Sequence, residues 1–131
     1  VLDLMCLKKS SDYSKSLSDE EYDKLFTKDK PILVAFHGYP SLIYEFTYFR
    51  HNKNMIVHGY EEEGTITTPF DMRVLNEIDR FHLVIEAIKQ LDLGAEGQKV
   101  ILEMEEKLQQ HHDYIREYGV DMPEVAEWKW Q

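Results

Sequence analysis

Several clusters in this 131-residue chain carry side chains capable of chemistry. His37-Gly38-Tyr39 follows the apolar run at 32–36. In parallel α/β sheets ligands bind outside the carboxyl ends of strands, so His37, with Tyr39 beside it, is a candidate acid, base or anion contact. No carboxylate or nucleophile is spaced to work with it, which favours a structural histidine bonded to a neighbouring loop. Arg50-His51-Asn52-Lys53-Asn54 is a compact basic and amide-rich turn. A guanidinium fork and amides suit a phosphate or carboxylate. The same residue types suit a helix C-terminus, where Arg and His meet free carbonyls and Asn tolerates left-handed backbone. Capping is the preferred reading, and an ion pair from Arg50 to another domain or subunit would satisfy both.

Gly64-Thr65-Ile66-Thr67-Thr68-Pro69 offers hydroxyls and free N–H groups at a helix start, a geometry that takes anions. Glu61-Glu62-Glu63 just before it would repel one, and no glycine-rich nucleotide pattern accompanies it. Thr68 as N-cap, Pro69 at the first helical position and Asp71 in the anion's place make a self-capped start. Arg73 and Asn76, one turn apart, are placed to hold the loop or a partner surface. His111-His112-Asp113 combines ligand types, yet adjacent helical residues diverge and no second His follows at four residues, so a metal centre is disfavoured. Trp128 and Trp130 form a tail that must pack its aromatic area somewhere, as a docking clamp.

Alternation of strands and helices must position these groups. Val1 to Leu7 reads as a short strand containing Cys6 as a small apolar residue, and Lys8 to Ser16 as an exposed loop. Ser18-Asp19-Glu20-Glu21 is a capping box opening a helix to about Thr27. The apolar run at 32–36 is the central strand, of the kind buried on both faces of a parallel sheet. Pro40-Ser41 opens a helix running from Leu42 to about Phe49, and Met55 to Tyr60 is the third strand. After Thr68 one amphipathic helix places Val74, Leu75, Ile78, Phe81, His82, Ile85 and Ile88 on a stripe to be buried against the sheet. The Leu93 to Gly97 segment breaks the pattern. A last helix aligns Ile101, Met104, Leu108, His111, Ile115 and Tyr118, with Gly119 as its C-cap and Pro123 beyond the stop. The expected fold is α/β, a three-layer sandwich with a mostly parallel sheet, in a single domain over 1–131.

A net charge of −10 disfavours a nucleic-acid partner, whose affinity rests on clustered Lys and Arg. One cysteine excludes an internal disulfide framework and fits a reducing cytoplasm. No apolar run reaches the roughly 20 residues of a membrane span, and no signal-peptide pattern opens the chain. The abrupt apolar start at Val1 is read as a cut inside an element.

Read together, Phe36-His37-Gly38-Tyr39-Pro40-Ser41-Leu42-Ile43, Arg50-His51-Asn52, His58-Gly59-Tyr60 and the Gly64 to His82 segment resemble the C-terminal region of bacterial phosphoketolases, and the likeness extends to Trp128-Lys129-Trp130. The resemblance implies a transketolase C-terminal-domain-like fold, truncated at its N-terminus. It also implies a parent enzyme that uses thiamine diphosphate and magnesium to cleave xylulose 5-phosphate or fructose 6-phosphate with inorganic phosphate, giving acetyl phosphate and an aldose phosphate. The cofactor of such enzymes lies between the two preceding domains at a subunit interface. This chain lacks the Gly-Asp-Gly…Asn-Asn type of cofactor motif, so no catalytic, cofactor or metal residue carries over and the piece is expected to be inactive. What matches are structural or interface positions: His37, Gly38, Tyr39, Arg50, His51, Gly59, Tyr60, Gly64, Thr67, Thr68, Pro69, Asp71, Arg73, Asn76 and Asp79. The implied partners are the preceding domains and the other subunits of a homo-oligomer. Rival classes are a free-standing module with an anion pocket near His37, Arg50 and Thr68, and a small hydrolase using His37 with an acidic partner.

Overall fold

The computed structural model describes residues 3–9, 12–61, 64 and 66–129. They form two compact units, Val1–Gly59 and Tyr60–Gln131. The first contains a 3₁₀ turn at Leu4–Leu7, helix α1 (Asp19–Phe26), strand β1 (Ile32–Phe36), helix α2 (Pro40–Thr47) and strand β2 (Met55–Gly59). The second contains helices α3 (Pro69–Leu75), α4 (Arg80–Gln90), α5 (Gly94–Tyr118) and α6 (Pro123–Ala126).

In the first unit β1 and β2 pair in parallel, with Ile32 opposite Met55 and Phe36 opposite Gly59. Parallel strands need a crossover, and α2 supplies it. Gly59 has no room for a side chain: a Cβ there would lie 2.3 Å from the Gly38 carbonyl oxygen and 2.4 Å from Pro40 Cδ. The chain leaving β1 therefore passes directly over the end of β2. The capping box forms, with Glu21 N–H donating to Ser18 Oγ and Ser18 N–H to the Glu21 carboxylate. Leu7, Tyr22, Ile43 and Val57 make the core, with Leu4, Phe26, Val34, Phe36 and Met55 packed on it.

The α/β class and parallel pairing hold, but two expectations about the sheet fail. Leu4–Leu7 is a 3₁₀ turn capped by the Asp3 carboxylate, not a strand, so the sheet has two strands among the described residues; Val1 and Leu2 lie outside them. An Asp that accepts the Met5 N–H favours a turn over an extended chain. Strand β1 is half-buried with Ala35 exposed, so its apolar run is not enclosed on both faces. Helix α2 also starts earlier than expected, at Pro40, and ends at Thr47.

In the second unit Thr68 caps α3, its Oγ accepting from the Asp71 N–H at 3.1 Å, and Pro69 takes the first turn. The single helix expected after Thr68 is two. Ile78 N–H donates to the Arg73 carbonyl and Glu77 N–H to the Val74 carbonyl, a Schellman ending with Glu77 at φ 55°. Glycine usually fills that left-handed position, so a glutamate there left no breaker to read in the sequence. Asp79 then restarts the chain, accepting from Phe81 N–H at 2.8 Å and His82 N–H at 3.3 Å. The stripe of α4 packs on α5, burying Phe81, Ile85 and Ile101. Helix α5 absorbs the Gly94 to Gly97 segment expected to precede it. It ends at Gly119 in left-handed conformation, φ 68°, with its N–H on the Ile115 carbonyl. Tyr118, expected on the packed stripe, is 56% exposed. Among the described residues no helix is long and apolar enough to cross a membrane.

Candidate functional site

In the first unit the basic turn after α2 sends Arg50 inward, where it is 1% exposed. Its Nε donates to the Leu7 carbonyl at 2.9 Å, Nη2 to the Leu17 carbonyl at 2.8 Å and the Cys6 carbonyl at 3.4 Å, and Nη1 to Asp19 Oδ1 at 3.0 Å. Its carbon centre lies 4.5 Å from the Tyr22 ring centroid. A guanidinium carries five N–H groups. The protein itself takes up most of them, which leaves little for a phosphate. Arg50 therefore fastens the N-terminal turn and the entry to α1 onto the end of α2.

Its neighbours do similar work. Asn52 is 2% exposed; its amide donates to the Phe26 and Lys30 carbonyls at 3.2 and 2.9 Å and its oxygen accepts from the Asn54 N–H at 2.8 Å. It thus closes the C-terminal end of α1. His51 Nδ1 meets Asp23 Oδ2 at 2.8 Å. That hydrogen bond, with one from Lys28, holds the Asp23 carboxyl below its ordinary range, while Lys9 and then Arg50 do the same for Asp19. His37 and Tyr39 are exposed at the end of β1.

In the second unit the α3 start and α5 meet. Asp71 uses both oxygens: Oδ2 accepts from Thr67 Oγ1 at 2.7 Å and Oδ1 faces His111 Nε2 at 3.1 Å. His111 is fully buried, with the Phe70 ring edge-on at 5.2 Å between centroids. Its Nε2 carries the proton toward Asp71, and Nδ1 has no hydrogen-bond partner among the described residues. A carboxylate orienting an imidazole is half of a nucleophile-activating set. Among the described residues no hydroxyl or thiol bonds Nδ1, and solvent does not reach it, so the pair is a tie between α3 and α5. Thr68 Oγ1 also donates to Asp121 Oδ1 beyond α5. Asn76 accepts from the Glu61 N–H at 2.7 Å and donates to the Met72 carbonyl at 2.8 Å, while Arg73 is exposed. His112, next to His111 in sequence, is exposed beside Asp113 at 3.6 Å.

Sequence reasoning did not single out Arg80 or Asp121, and named Asp79 and His82 only as a matching position and a stripe residue. Asp79 Oδ2 binds His82 Nδ1, which raises the His82 pKa above its ordinary value. Arg80 lies over Phe81, Trp128 and Phe70 at 4.9, 5.5 and 5.6 Å. This is where Trp128 of the expected clamp packs, half-exposed; Trp130 lies outside the described residues. Asp121 has no sequence signal, being 53 residues from Thr68. The Asp79 cap, a short acidic side chain just before an apolar run, was legible.

These donors do not suit a magnesium-bound diphosphate. Arg50 is committed to carbonyls and Asp19, Asp71 has both oxygens engaged, and no group of three or more metal-ligating side chains converges among the described residues.

Comparison with known proteins places this arrangement. The XFP C-terminal domain family matches residues 1–130. Over 99% of its length the chain is 56% identical to "Probable phosphoketolase 2" of Lactiplantibacillus plantarum, 53% to "Probable phosphoketolase" of Rhodopirellula baltica and 50% to "Probable phosphoketolase" of Clostridium acetobutylicum. It covers only 16–17% of each relative's length. With the family model matching residues 1–130 and half or more of its residues shared with these relatives along its length, the chain belongs to the family of phosphoketolase (XFP) C-terminal domains.

Proposed function

We infer that this chain is the scaffold and interface part of a phosphoketolase, a longer enzyme that cleaves xylulose 5-phosphate or fructose 6-phosphate with inorganic phosphate to acetyl phosphate and an aldose phosphate. The observation that carries this reading is the whole-length likeness to phosphoketolases of which the chain covers about a sixth. The commitment of Arg50, Thr68, Asp71 and His111 to internal ties supports it. In this reading thiamine diphosphate and magnesium are held by the rest of the enzyme and supply its carbanion chemistry. The residues here hold the shape against which the preceding domains and other subunits pack. His37, Tyr39 and Arg73, all exposed, are the candidate contacts for those partners.

The test compares this chain with the longer enzyme. Calorimetric titration with thiamine diphosphate and magnesium should give no heat of binding with the 131-residue chain, and a hydroxamate assay should give no acetyl phosphate. The longer polypeptide should do both. Micromolar cofactor binding or turnover by the chain alone would overturn the reading, and failure of the longer protein with both sugar phosphates would overturn the assigned reaction. The rival anion-binding module has little support, because the donors it would use are already bonded.

A further inference from the structure

Arg80 stands in contrast to Arg50. Both lie against aromatic rings, but the protein bonds the donors of Arg50 and none of those of Arg80 among the described residues. The Arg80 carbon centre is 4.9 Å from the Phe81 ring, 5.5 Å from Trp128 and 5.6 Å from Phe70, so α3, α4 and the segment after α6 converge on one guanidinium. A cation over a ring is attracted by the ring's quadrupole, which uses none of the guanidinium's five N–H groups.

The chain has 25 Asp and Glu against 15 Lys and Arg, yet among the described residues no carboxylate pairs with Arg80. Asp79, next to it in sequence, is buried and committed to the Phe81 and His82 N–H groups and to the His82 ring. Helix stability does not account for Arg80 either. It is the first residue of α4, where a cation opposes the helix dipole and an anion is favoured. Beside it Trp128 is 48% exposed, and Arg and Trp are the side chains that most often dominate binding energy at interfaces. Arg73, one turn after Phe70 on α3, and Lys129, next to Trp128, are exposed cations with no ion pair among the described residues. The rings also hold the guanidinium in place, which lowers the freedom lost when an anion docks on it.

We propose that Arg80, seated against Phe70, Phe81 and Trp128, is an interface anchor that takes an Asp or Glu carboxylate from the part of the longer enzyme outside this chain. A planar carboxylate matches the guanidinium edge as a bidentate pair, and exclusion of water at an interface strengthens it. The proposal rests on the reading of the chain as part of a phosphoketolase: it covers 16% of two such relatives, so most of the polypeptide lies outside it and can supply the carboxylate.

Two measurements on the longer enzyme test this. Carbodiimide joins an amine to a carboxylate in contact with it, and Arg80→Lys keeps the charge while putting an amine in the site. That variant should give a cross-link from position 80 to an Asp or Glu outside the 131 residues, read by mass spectrometry of the digest. Arg80→Gln has no amine and should lose the product. No cross-link from position 80, or one only to a carboxylate within the 131 residues, would overturn the proposal. The second measurement needs no substitution. Phenylglyoxal should modify Arg80 of the 131-residue chain about tenfold or more faster than Arg80 of the longer enzyme, the equivalent of one charge-assisted hydrogen bond, with buried Arg50 slow in both. Equal rates would overturn the anchor. Saturable protection of Arg80 by added acetate in the longer enzyme would overturn it in favour of a site for a free carboxylate. A longer enzyme that shows the cross-link and the protection but forms no acetyl phosphate would sink the assigned reaction and support the anchor.

Discussion

Replacing Arg50 with lysine keeps the charge and removes the fork, so it isolates what the guanidinium does. Lysine carries a compact ammonium that cannot reach the Leu7, Leu17 and Cys6 carbonyls and Asp19 together. Two close bonds, to Leu7 and Leu17 at 2.9 and 2.8 Å, are the main loss. Leaving a buried acceptor unpaired costs about 1–3 kcal/mol each, and the stacking on Tyr22 weakens as well. A loss of about 2–6 kcal/mol follows, a large share of a typical domain's stability. With a urea m-value of about 2 kcal/mol/M, the midpoint of denaturation followed by circular dichroism should fall by about 1–3 M. Asp19→Asn should move it far less, because Asp19 is partly exposed and also served by Lys9. If Arg50 were instead an anion site, Arg50→Lys would leave the midpoint in plain buffer unchanged and abolish stabilisation by added phosphate. An unchanged midpoint, or an Asp19→Asn effect as large as that of Arg50→Lys, would refute the carbonyl-tether argument.

Thr68→Ala removes the α3 cap and the bond to Asp121, and a loss of about 1 kcal/mol is expected from the cap; an unmoved denaturation midpoint would count against capping. Gly59→Ala forces a methyl against the Gly38 carbonyl and the Pro40 ring and should cost about 3 kcal/mol or more, since backbone cannot yield as a side chain does; wild-type stability in that variant would show the approach to be looser. His82 should titrate in NMR above its ordinary 6.5, because Asp79 favours the charged ring. Its pairing contributes fully below the unfolded value near 6.5 and is lost as pH rises through the raised folded value, so the thermal advantage of wild type over His82→Gln should shrink in mildly alkaline buffer. A titration at or below 6.5 would refute it. Asp19 and Asp23 are held low by Lys9 and His51 respectively, so their stabilisation is present above the ordinary carboxylate value of 3.8 and disappears as pH falls through their depressed folded values. Removing His51 with His51→Ala should therefore leave a smaller acid-dependent drop in the melting temperature between about pH 5 and pH 2.

Short-range signals were legible because they are satisfied within a turn or two of chain. The Ser18 capping box, the Thr68-Pro69 helix start, Gly119 as a left-handed terminator and the strand at Ile32–Phe36 each depend on local backbone hydrogen bonds or a local apolar run. The family was legible for a related reason, since its likeness is an ordered set of such positions along the whole chain. Tertiary structure alone decided where the polar side chains of the basic turn and of α5 go. Arg50 reads in sequence as a helix C-terminal cap or an anion contact, and only the return of the N-terminal turn, 43 residues away, brings it the carbonyls it binds. His111 reads in sequence as a member of the packing stripe of the last helix, and only the packing of α5 brings it Asp71, 40 residues earlier, as a partner. The break at Glu77 was hidden because a non-glycine residue there is held left-handed by the Schellman bonds on either side, not by its own preference. Burial and partner choice over such separations depend on which surfaces meet, and one-dimensional spacing carries no record of that.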